Sequence, residues 1–206
     1  MGINLNDRGY NDVQASNPGE FVKLPAGGYI CRIINAELSN SKAGNLMLVL
    51  SVDIAEGKFQ NFFKNATDAA RKFNPDKKWD NSGIYRQLVF DKSGRVASFF
   101  KGLITCIERS NPKYKINIAD FEPASLCGLF CGFVFAYEEY QRRDGDIAEA
   151  IHIKFPKSYD DICDGNFKVP DTKRLDTMLG KALKAILDDK DDDFGGEPVD
   201  PDDIPF

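Results

Sequence analysis

Cationic and aromatic side chains alternate between residues 62 and 86 of this 206-residue chain. A protein that holds an extended nucleic-acid strand regardless of sequence needs cations along the phosphates and flat rings on which bases stack. The stretch therefore predicts a groove for a single strand. The side chains assigned to this groove are Phe62, Lys64, Arg71, Lys72, Lys77, Lys78, Trp79, Tyr85 and Arg86.

The rings in this stretch also have a purely structural interpretation. Trp79 lies among polar residues, which favours a stacking platform, and the alternative is a cap over the open end of a barrel. Phe63 and Tyr85 lie near candidate strands, where rings more often pack in a core. The sequence leaves both interpretations of Trp79 open.

The end of the chain combines strong negative charge with a short apolar sequence. Residues 188–206 carry nine acidic side chains and one basic one, and a segment of this composition is expected to be disordered. It ends in Asp202, Asp203, Ile204, Pro205 and Phe206. This ending suits a small apolar pocket ringed by Lys or Arg on a partner protein, and the alternative is a tail that only improves solubility.

The charge is divided unevenly along the chain. The net charge of −5 would argue against a nucleic-acid binder, but the chain before residue 188 holds 26 bases and 23 acids. A mildly basic body therefore carries an acidic arm, which can compete with nucleic acid for the same basic groove.

Composition predicts a globular protein in a reducing compartment. No apolar run approaches the ~20 residues that a membrane span needs, and the first residues lack the pattern of a secretory signal. The five cysteines are odd in number and lie mostly in apolar runs, which predicts reduced thiols and a cytoplasmic location. Cys127 and Cys131 have no second pair at zinc-site spacing, so core thiols are the better account of them.

Strand signals dominate the first half of the chain. Strand-forming residues and period-2 alternation predict strands at residues 28–38 and 46–54, joined as an antiparallel hairpin. A third strand is predicted at residues 59–63, at residues 84–90, or at both.

A helix and two strands follow. Apolar residues between positions 96 and 107 recur at helical spacing, with Ser93 as the predicted cap and Asn111 at the end. Strands are predicted at residues 126–140 and 149–159. The order of three strands, a helix and two strands is that of the OB-fold, a five-stranded closed barrel.

The OB-fold domain is assigned to residues 27–172. An irregular leader precedes it at residues 1–26, an amphipathic helix follows at residues 173–187, and the acidic tail occupies residues 188–206. OB-folds bind extended strands between the loops that join strands 1–2 and 4–5. Lys42 lies in the first of these loops and the pair Arg142 and Arg143 in the second, where the alternative is a solvated turn. Lys154, on the outward face of the last strand, completes the predicted site.

Short motifs in the body resemble a known family. They are Gly28-Tyr29, Ser41-Lys42-Ala43-Gly44-Asn45, Tyr85-Arg86-Gln87, Glu108-Arg109-Ser110-Asn111 and Glu138-Glu139-Tyr140. Together they resemble a phage-associated OB-fold family of single-stranded-DNA-binding proteins, over about residues 20–175. The final Asp-Asp-Ile-Pro-Phe resembles the acidic tip of bacterial single-stranded-DNA-binding proteins.

These resemblances imply a non-enzymatic protein that coats exposed single-stranded DNA during phage DNA replication and recombination. It would act in the cytoplasm of a bacterial host, associated with the nucleoid, without a cofactor, a metal or a membrane. Its tail would recruit replication or recombination proteins, and a homo-oligomer is compatible with the resemblance.

The sequence is compatible with three other functions. A strand-annealing recombination mediator would have the same fold. A metal-dependent nuclease would need a carboxylate cluster, for which Asp53, Glu138 and Glu139 are the candidates. The third is an adaptor that binds only protein through its tail. His152 is the only histidine and the chain has no phosphate-binding loop, so no nucleophilic or nucleotide site is indicated.

Overall fold

The structure, a computed structural model, describes residues 22–176 of the chain. It is mainly β, with five antiparallel strands in one open sheet and three α-helices. The strands are β1 (Gly27–Asn40), β2 (Leu46–Ile54), β3 (Ile84–Leu88), β4 (Phe130–Gln141) and β5 (Ile147–Lys157). The helices are α1 (Phe62–Arg71), α2 (Ser98–Ser110) and α3 (Tyr159–Cys163). Most of the predicted leader, most of the predicted helix at 173–187 and the whole tail lie outside the described residues.

The strand order is β3-β2-β1-β4-β5, so β3 and β5 form the two edges of the sheet. The long strand β1 pairs with both β2 and β4, and a bulge between Ile33 and Asn35 allows it to bend. Along β2, Leu48, Leu50 and Val52 are buried. The residues that alternate with them, Met47, Val49 and Ser51, are only partly covered. The predicted hairpin at residues 28–38 and 46–54 is therefore confirmed, with β1 slightly longer at both ends.

Helix α1 follows β2 and precedes β3 in the chain, in a region where the sequence pattern offers a strand as one alternative. The alternative of a strand at residues 59–63 is wrong, because the chain becomes helical at Phe62. Asp53 accepts hydrogen bonds from the backbone N–H groups of Phe63 (3.0 Å) and Lys64 (3.2 Å). The first backbone N–H groups of a helix have no hydrogen-bond partner within the helix itself. The Asp53 carboxylate, on the preceding strand, therefore stabilises the start of α1. The third strand is β3, within the other predicted range of 84–90.

Helix α2 begins at Ser98, five residues later than the predicted cap at Ser93. The cause is a tight turn, in which one carboxylate oxygen of Asp91 accepts from the backbone N–H groups of Ser93 (2.8 Å) and Arg95 (3.1 Å). Phe90 and Val96 then face each other in an antiparallel bridge outside the helix. The predicted start is therefore wrong, whereas the predicted end at Asn111 is confirmed.

The fourth strand also starts later than its predicted range of 126–140. Residues 123–126 form a single 3₁₀ turn, and Gly128 has a φ of +86°, a conformation that a side chain would disfavour. Gly132 lies within β4 where α3 crosses it, and a Cβ atom there would collide with Ile162 and lie 2.8 Å from the Ser158 carbonyl oxygen.

The fifth strand ends at Lys157, two residues before the predicted end at 159. There Ser158 and Asp161 cap α3 reciprocally, a helix that the sequence pattern does not predict. Beyond α3, Lys173 pairs with β4, and Leu175 and Asp176 are helical, which agrees with the start of the predicted helix at 173–187.

The apolar core lies inside the curved sheet and is closed by α2, whose Phe100, Leu103, Ile104 and Ile107 face it. The five cysteines are free thiols, and Cys31 and Cys131 are buried opposite each other on β1 and β4. Within residues 22–176, no helix combines the length and the apolar character required to cross a membrane.

Candidate nucleic-acid interface

A groove runs along the free edge of β3. It consists of two adjoining cavities of about 780 and 680 Å³, which share Gln87, Ser98 and Phe99. The first cavity lies between β3, β5 and the start of α2, and the second extends past the 91–95 turn to the β1–β2 turn at Asn45. We name the two together the β3 groove. The residues that line it include Asn81, Arg86, Phe90, Lys92, Arg95, Phe99, His152 and Lys154.

Two phenylalanine rings line the β3 groove and are open to solvent. The Phe99 side chain is 78% exposed and that of Phe90 is 44% exposed. Phe99 is exposed because α2 starts at Ser98 and turns the next ring, Phe100, towards the core. Rings that are open to solvent beside a groove offer the flat apolar faces on which unpaired bases stack.

Four cations line the same groove. The Arg86 guanidinium donates to the Asn81 side-chain oxygen at 3.0 Å, which holds it at the end of the groove nearest that residue. Lys92 and Arg95 lie on the turn beside Phe90, at the other end. Lys154 is the most enclosed of the four, and its ammonium lies 2.7 Å from a Glu138 carboxylate oxygen. Cations are thus present along the whole length of the groove.

The neighbouring carboxylates are already engaged with protein groups. The side-chain hydrogen bond from Ser93 lowers the pKa of Asp91, and a hydrogen bond from Lys154 lowers that of Glu138. An anion that enters the β3 groove therefore meets these acids while they are hydrogen-bonded to donors of this protein.

His152 lies on β5 in the first cavity of the groove. Burial lowers its pKa from the ordinary value of 6.5; Lys154 and Arg86 act in the same direction, while Glu138 and Asp80 oppose them. The imidazole is therefore neutral at neutral pH, and protonation adds a cation to the groove.

If the groove binds single-stranded DNA, as the sequence predicts, lowering the pH from about 7.5 to about 5.5 should strengthen this binding by up to about tenfold, because a phosphate favours protonated His152. The measurement is a titration with labelled oligo-dT at each pH. His152→Gln should remove the pH dependence, and an unchanged dependence in that variant would contradict the role of His152. Because the pKa is lowered in the folded protein, protonation also destabilises the fold as the pH falls below 6.5, so thermal melts must accompany the titrations.

The rings predicted between residues 62 and 79 are mostly committed to packing. Phe62 is half-buried in edge-to-face contact with the fully buried Phe63, with ring centroids 5.3 Å apart. Trp79 is half-buried at the margin of the core, and its indole N–H donates to the Val52 carbonyl at 3.2 Å. Phe73, a ring of the same stretch that is not among the predicted site residues, is the exception, since this residue is 92% exposed.

The cations of that stretch lie on the surface of α1 and the loop that follows it. Lys64 forms an ion pair with Asp68 at 2.7 Å, and the Arg71 side chain donates to the Lys77 carbonyl at 3.0 Å. Lys72, Lys77 and Lys78 are exposed, as are Lys42 in the β1–β2 turn and Arg142 and Arg143 in the β4–β5 turn. Of the predicted site residues, the β3 groove therefore brings together only Tyr85, Arg86 and Lys154.

Tyr85 is buried at the base of the groove, where its hydroxyl hydrogen-bonds to Gln87 at 3.1 Å. Its ring packs against Phe133, with centroids 5.5 Å apart. Tyr85 therefore supports the floor of the groove from within the core. Sequence reasoning missed Phe90, Lys92, Arg95, Phe99 and His152, although Phe99-Phe100 carried a signal, because adjacent helical residues cannot both face one core.

The three carboxylates considered for a nuclease, Asp53, Glu138 and Glu139, each interact with different groups of the protein. Asp53 accepts hydrogen bonds from the backbone at the end of β2 and the start of α1. Glu138 binds Lys154, and Glu139 accepts from the backbone N–H of Leu175 at 3.0 Å. Within residues 22–176, no three His, Cys, Asp or Glu side chains are grouped so that they could hold a metal ion.

Residues 11–93 match a protein family described as a protein of unknown function, DUF669. The described part of the match runs from residue 22 through β1, β2, α1 and β3 to the turn that carries Lys92. It therefore includes one side of the β3 groove and excludes α2 and β5. No curated protein matches the chain.

Proposed function

We propose that this protein binds single-stranded DNA without enzymatic activity and that the β3 groove is its binding site. The observation that carries the proposal is the groove itself, where two exposed phenylalanine rings lie among four cations. Stacking contributes about 1–3 kcal/mol per base, and it suits every sequence because every base has a flat face. The cations supply the salt-sensitive attraction to phosphates.

The strand order supports an OB-fold assignment for this domain. An OB-fold is a five-stranded barrel that binds its ligand beside strands 2 and 3, with the loops 1–2 and 4–5 at the sides. In the order β3-β2-β1-β4-β5, closure would bring β3 next to β5, and those are the strands on either side of the groove. The resemblance to the phage-associated family is part of the same proposal.

The path of the strand follows from the positions of rings and cations. We place one end at the β1–β2 turn, where Lys42 is exposed near Asn45. The bases would stack on Phe90 and Phe99, and the phosphates would pass Arg95 and Arg86. Arg142 and Arg143 on the β4–β5 turn, and Lys77 and Lys78 before Asn81, would bind phosphates beyond the groove.

The tail would serve a separate purpose, the recruitment of replication or recombination proteins while the body coats exposed phage DNA. This part of the proposal is based on the sequence, because Asp202, Asp203, Ile204, Pro205 and Phe206 lie outside the described residues. Acidic residues steer a segment towards basic surfaces, and Ile and Phe supply apolar anchors.

The proposed function is tested by titrating labelled oligo-dT with the protein at several salt concentrations. If the four groove cations contact phosphates, log K should fall with log salt with a slope of at least about −3, and each contact beyond the groove should add about −0.7. Tight binding that is independent of salt, or a preference for duplex DNA, would overturn the proposal. Cleavage of the labelled strand with magnesium would instead indicate the nuclease, and rapid annealing of complementary strands would indicate the recombination mediator.

Replacing Phe206 by Ala should separate partner recruitment by the tail from DNA binding by the groove. The variant keeps every charge of the tail but lacks its apolar anchor, so binding of replication proteins should weaken about tenfold. Affinity for oligo-dT should stay unchanged, because the groove cations are not altered. Pull-down assays with purified replication proteins, beside a DNA titration, provide the measurement. Loss of DNA affinity with partner binding intact would assign the tail to the groove.

A further inference from the structure

The carboxylate of Glu138 lies between two lysines from different parts of the chain. The Lys154 ammonium is 2.7 Å from its Oε1 atom, and the Lys173 ammonium is 3.8 Å from the same atom. Lys154 lines the β3 groove, whereas Lys173 lies ten residues after the end of α3, where the chain forms a bridge with Glu138 of β4. One oxygen thus links the proposed DNA site with the start of the C-terminal region.

Backbone hydrogen bonds attach this start to β4. The Lys173 N–H donates to the Tyr137 carbonyl at 3.1 Å, and the Glu139 N–H donates to the Lys173 carbonyl at 3.0 Å. The Leu175 N–H then donates to the Glu139 carboxylate at 3.0 Å, where the chain becomes helical. The chain from residue 177 onward, including the acidic tail, follows directly from this attachment.

The two lysines differ in how closely they contact Glu138 and in how exposed they are. Lys154 has the shorter contact and an enclosed side chain, 16% exposed, while the Lys173 side chain is 56% exposed. A phosphate in the groove would draw the Lys154 ammonium towards itself and leave Glu138 without its nearer cation. An unpaired carboxylate next to a polyanion is unfavourable, and the Lys173 ammonium is near enough to form an ion pair with it.

We propose that binding of a strand in the β3 groove transfers Glu138 from Lys154 to Lys173 and thereby fastens the start of the C-terminal region to β4. The inference rests on the proposed function of the groove. By linkage, any fastening that DNA causes must strengthen DNA binding by the same factor. For a partly exposed ion pair, that factor is about two- to fivefold.

Amide hydrogen exchange at Lys173, followed by NMR, reports the attachment directly. Saturating oligo-dT should slow this exchange about two- to fivefold in the wild-type protein and leave it unchanged in Glu138→Gln. Lys173→Met should weaken DNA binding by the same factor, because the displaced carboxylate then has no cation. Unchanged exchange in the wild-type complex, or unchanged affinity of Lys173→Met, would overturn the proposal.

A variant examined without DNA separates this inference from the proposed function. Lys154→Met removes the competing lysine, so the Lys173 amide should exchange more slowly in the free protein. Lys92→Met is the matched control, since it removes a groove cation that is not paired with Glu138, and it should leave the exchange unchanged. Equal exchange in both variants would overturn the transfer even if oligo-dT binds. Failure of the wild-type protein to bind oligo-dT would overturn the proposed function and the DNA-driven step, but not the competition of the two lysines for Glu138 that these variants measure.

Discussion

Replacing Phe99 by Ala is expected to weaken binding of single-stranded DNA by about 5- to 100-fold, the loss that corresponds to one stacked base. The ring is 78% exposed at the junction of the two cavities, so the substitution removes a stacking face with little loss of core packing. The expected loss is similar for different DNA sequences, because stacking does not read base edges. Titration of labelled oligo-dT and oligo-dC at one salt concentration provides the measurement.

Phe73→Ala is the matched control for this prediction. Its ring is the more exposed of the two, at 92%, and it lies among cations in the stretch that the sequence pattern singles out. It does not line the β3 groove, so its replacement should leave the affinity nearly unchanged. If Phe73→Ala weakens binding and Phe99→Ala does not, the strand lies over the loop after α1, and the groove is assigned wrongly.

Strand β2 could be predicted because buried residues alternate with partly covered ones along most of its length, whereas β4 is buried on both faces from Cys131 to Ala136. β2 shows the pattern most clearly, since Leu48, Leu50 and Val52 are fully buried. The helices were harder because the interactions that start them are not local. The start of α1 is stabilised by Asp53 from the preceding strand, and the start of α2 is displaced by the hydrogen bonds of Asp91. Neither effect appears in the periodicity of the helix itself.

Sequence reasoning predicted part of the candidate site and missed its rings and cations between Phe90 and Phe99, although these are near neighbours in the chain. The predicted residues Arg86 and Lys154 both line the groove. Arg86 was predicted as part of a stretch that extends back to Phe62, but most rings of that stretch pack at the core. The β3 groove is assembled from the β1–β2 turn, β3, the start of α2 and β5, which the sheet brings together. Composition along the chain cannot show such an assembly, because the groove depends on the strand order.

Replacing Asp53 by Ala is expected to lower the free energy of unfolding by about 2–4 kcal/mol, because several backbone donors would lose a buried acceptor. The Asp53 carboxylate accepts from Ile54 at 2.9 Å, Phe63 at 3.0 Å and Lys64 at 3.2 Å, and the residue is 2% exposed. The Ala side chain offers none of these bonds, and water has little access to replace them. Urea denaturation at neutral pH measures the change.

Two further variants test whether capping causes the loss. Asp68→Ala removes an exposed carboxylate from the same helix, where only an ion pair with Lys64 is lost, so its unfolding curve should stay close to wild type. Asp53→Asn keeps one acceptor oxygen and avoids a buried charge, whose desolvation raises the pKa of Asp53, so it should fall between Asp53→Ala and the wild type. If Asp53→Ala and Asp68→Ala are equally stable, the carboxylate does not anchor α1. Helix α1 would then be held in place mainly by the packing of Phe63 in the core.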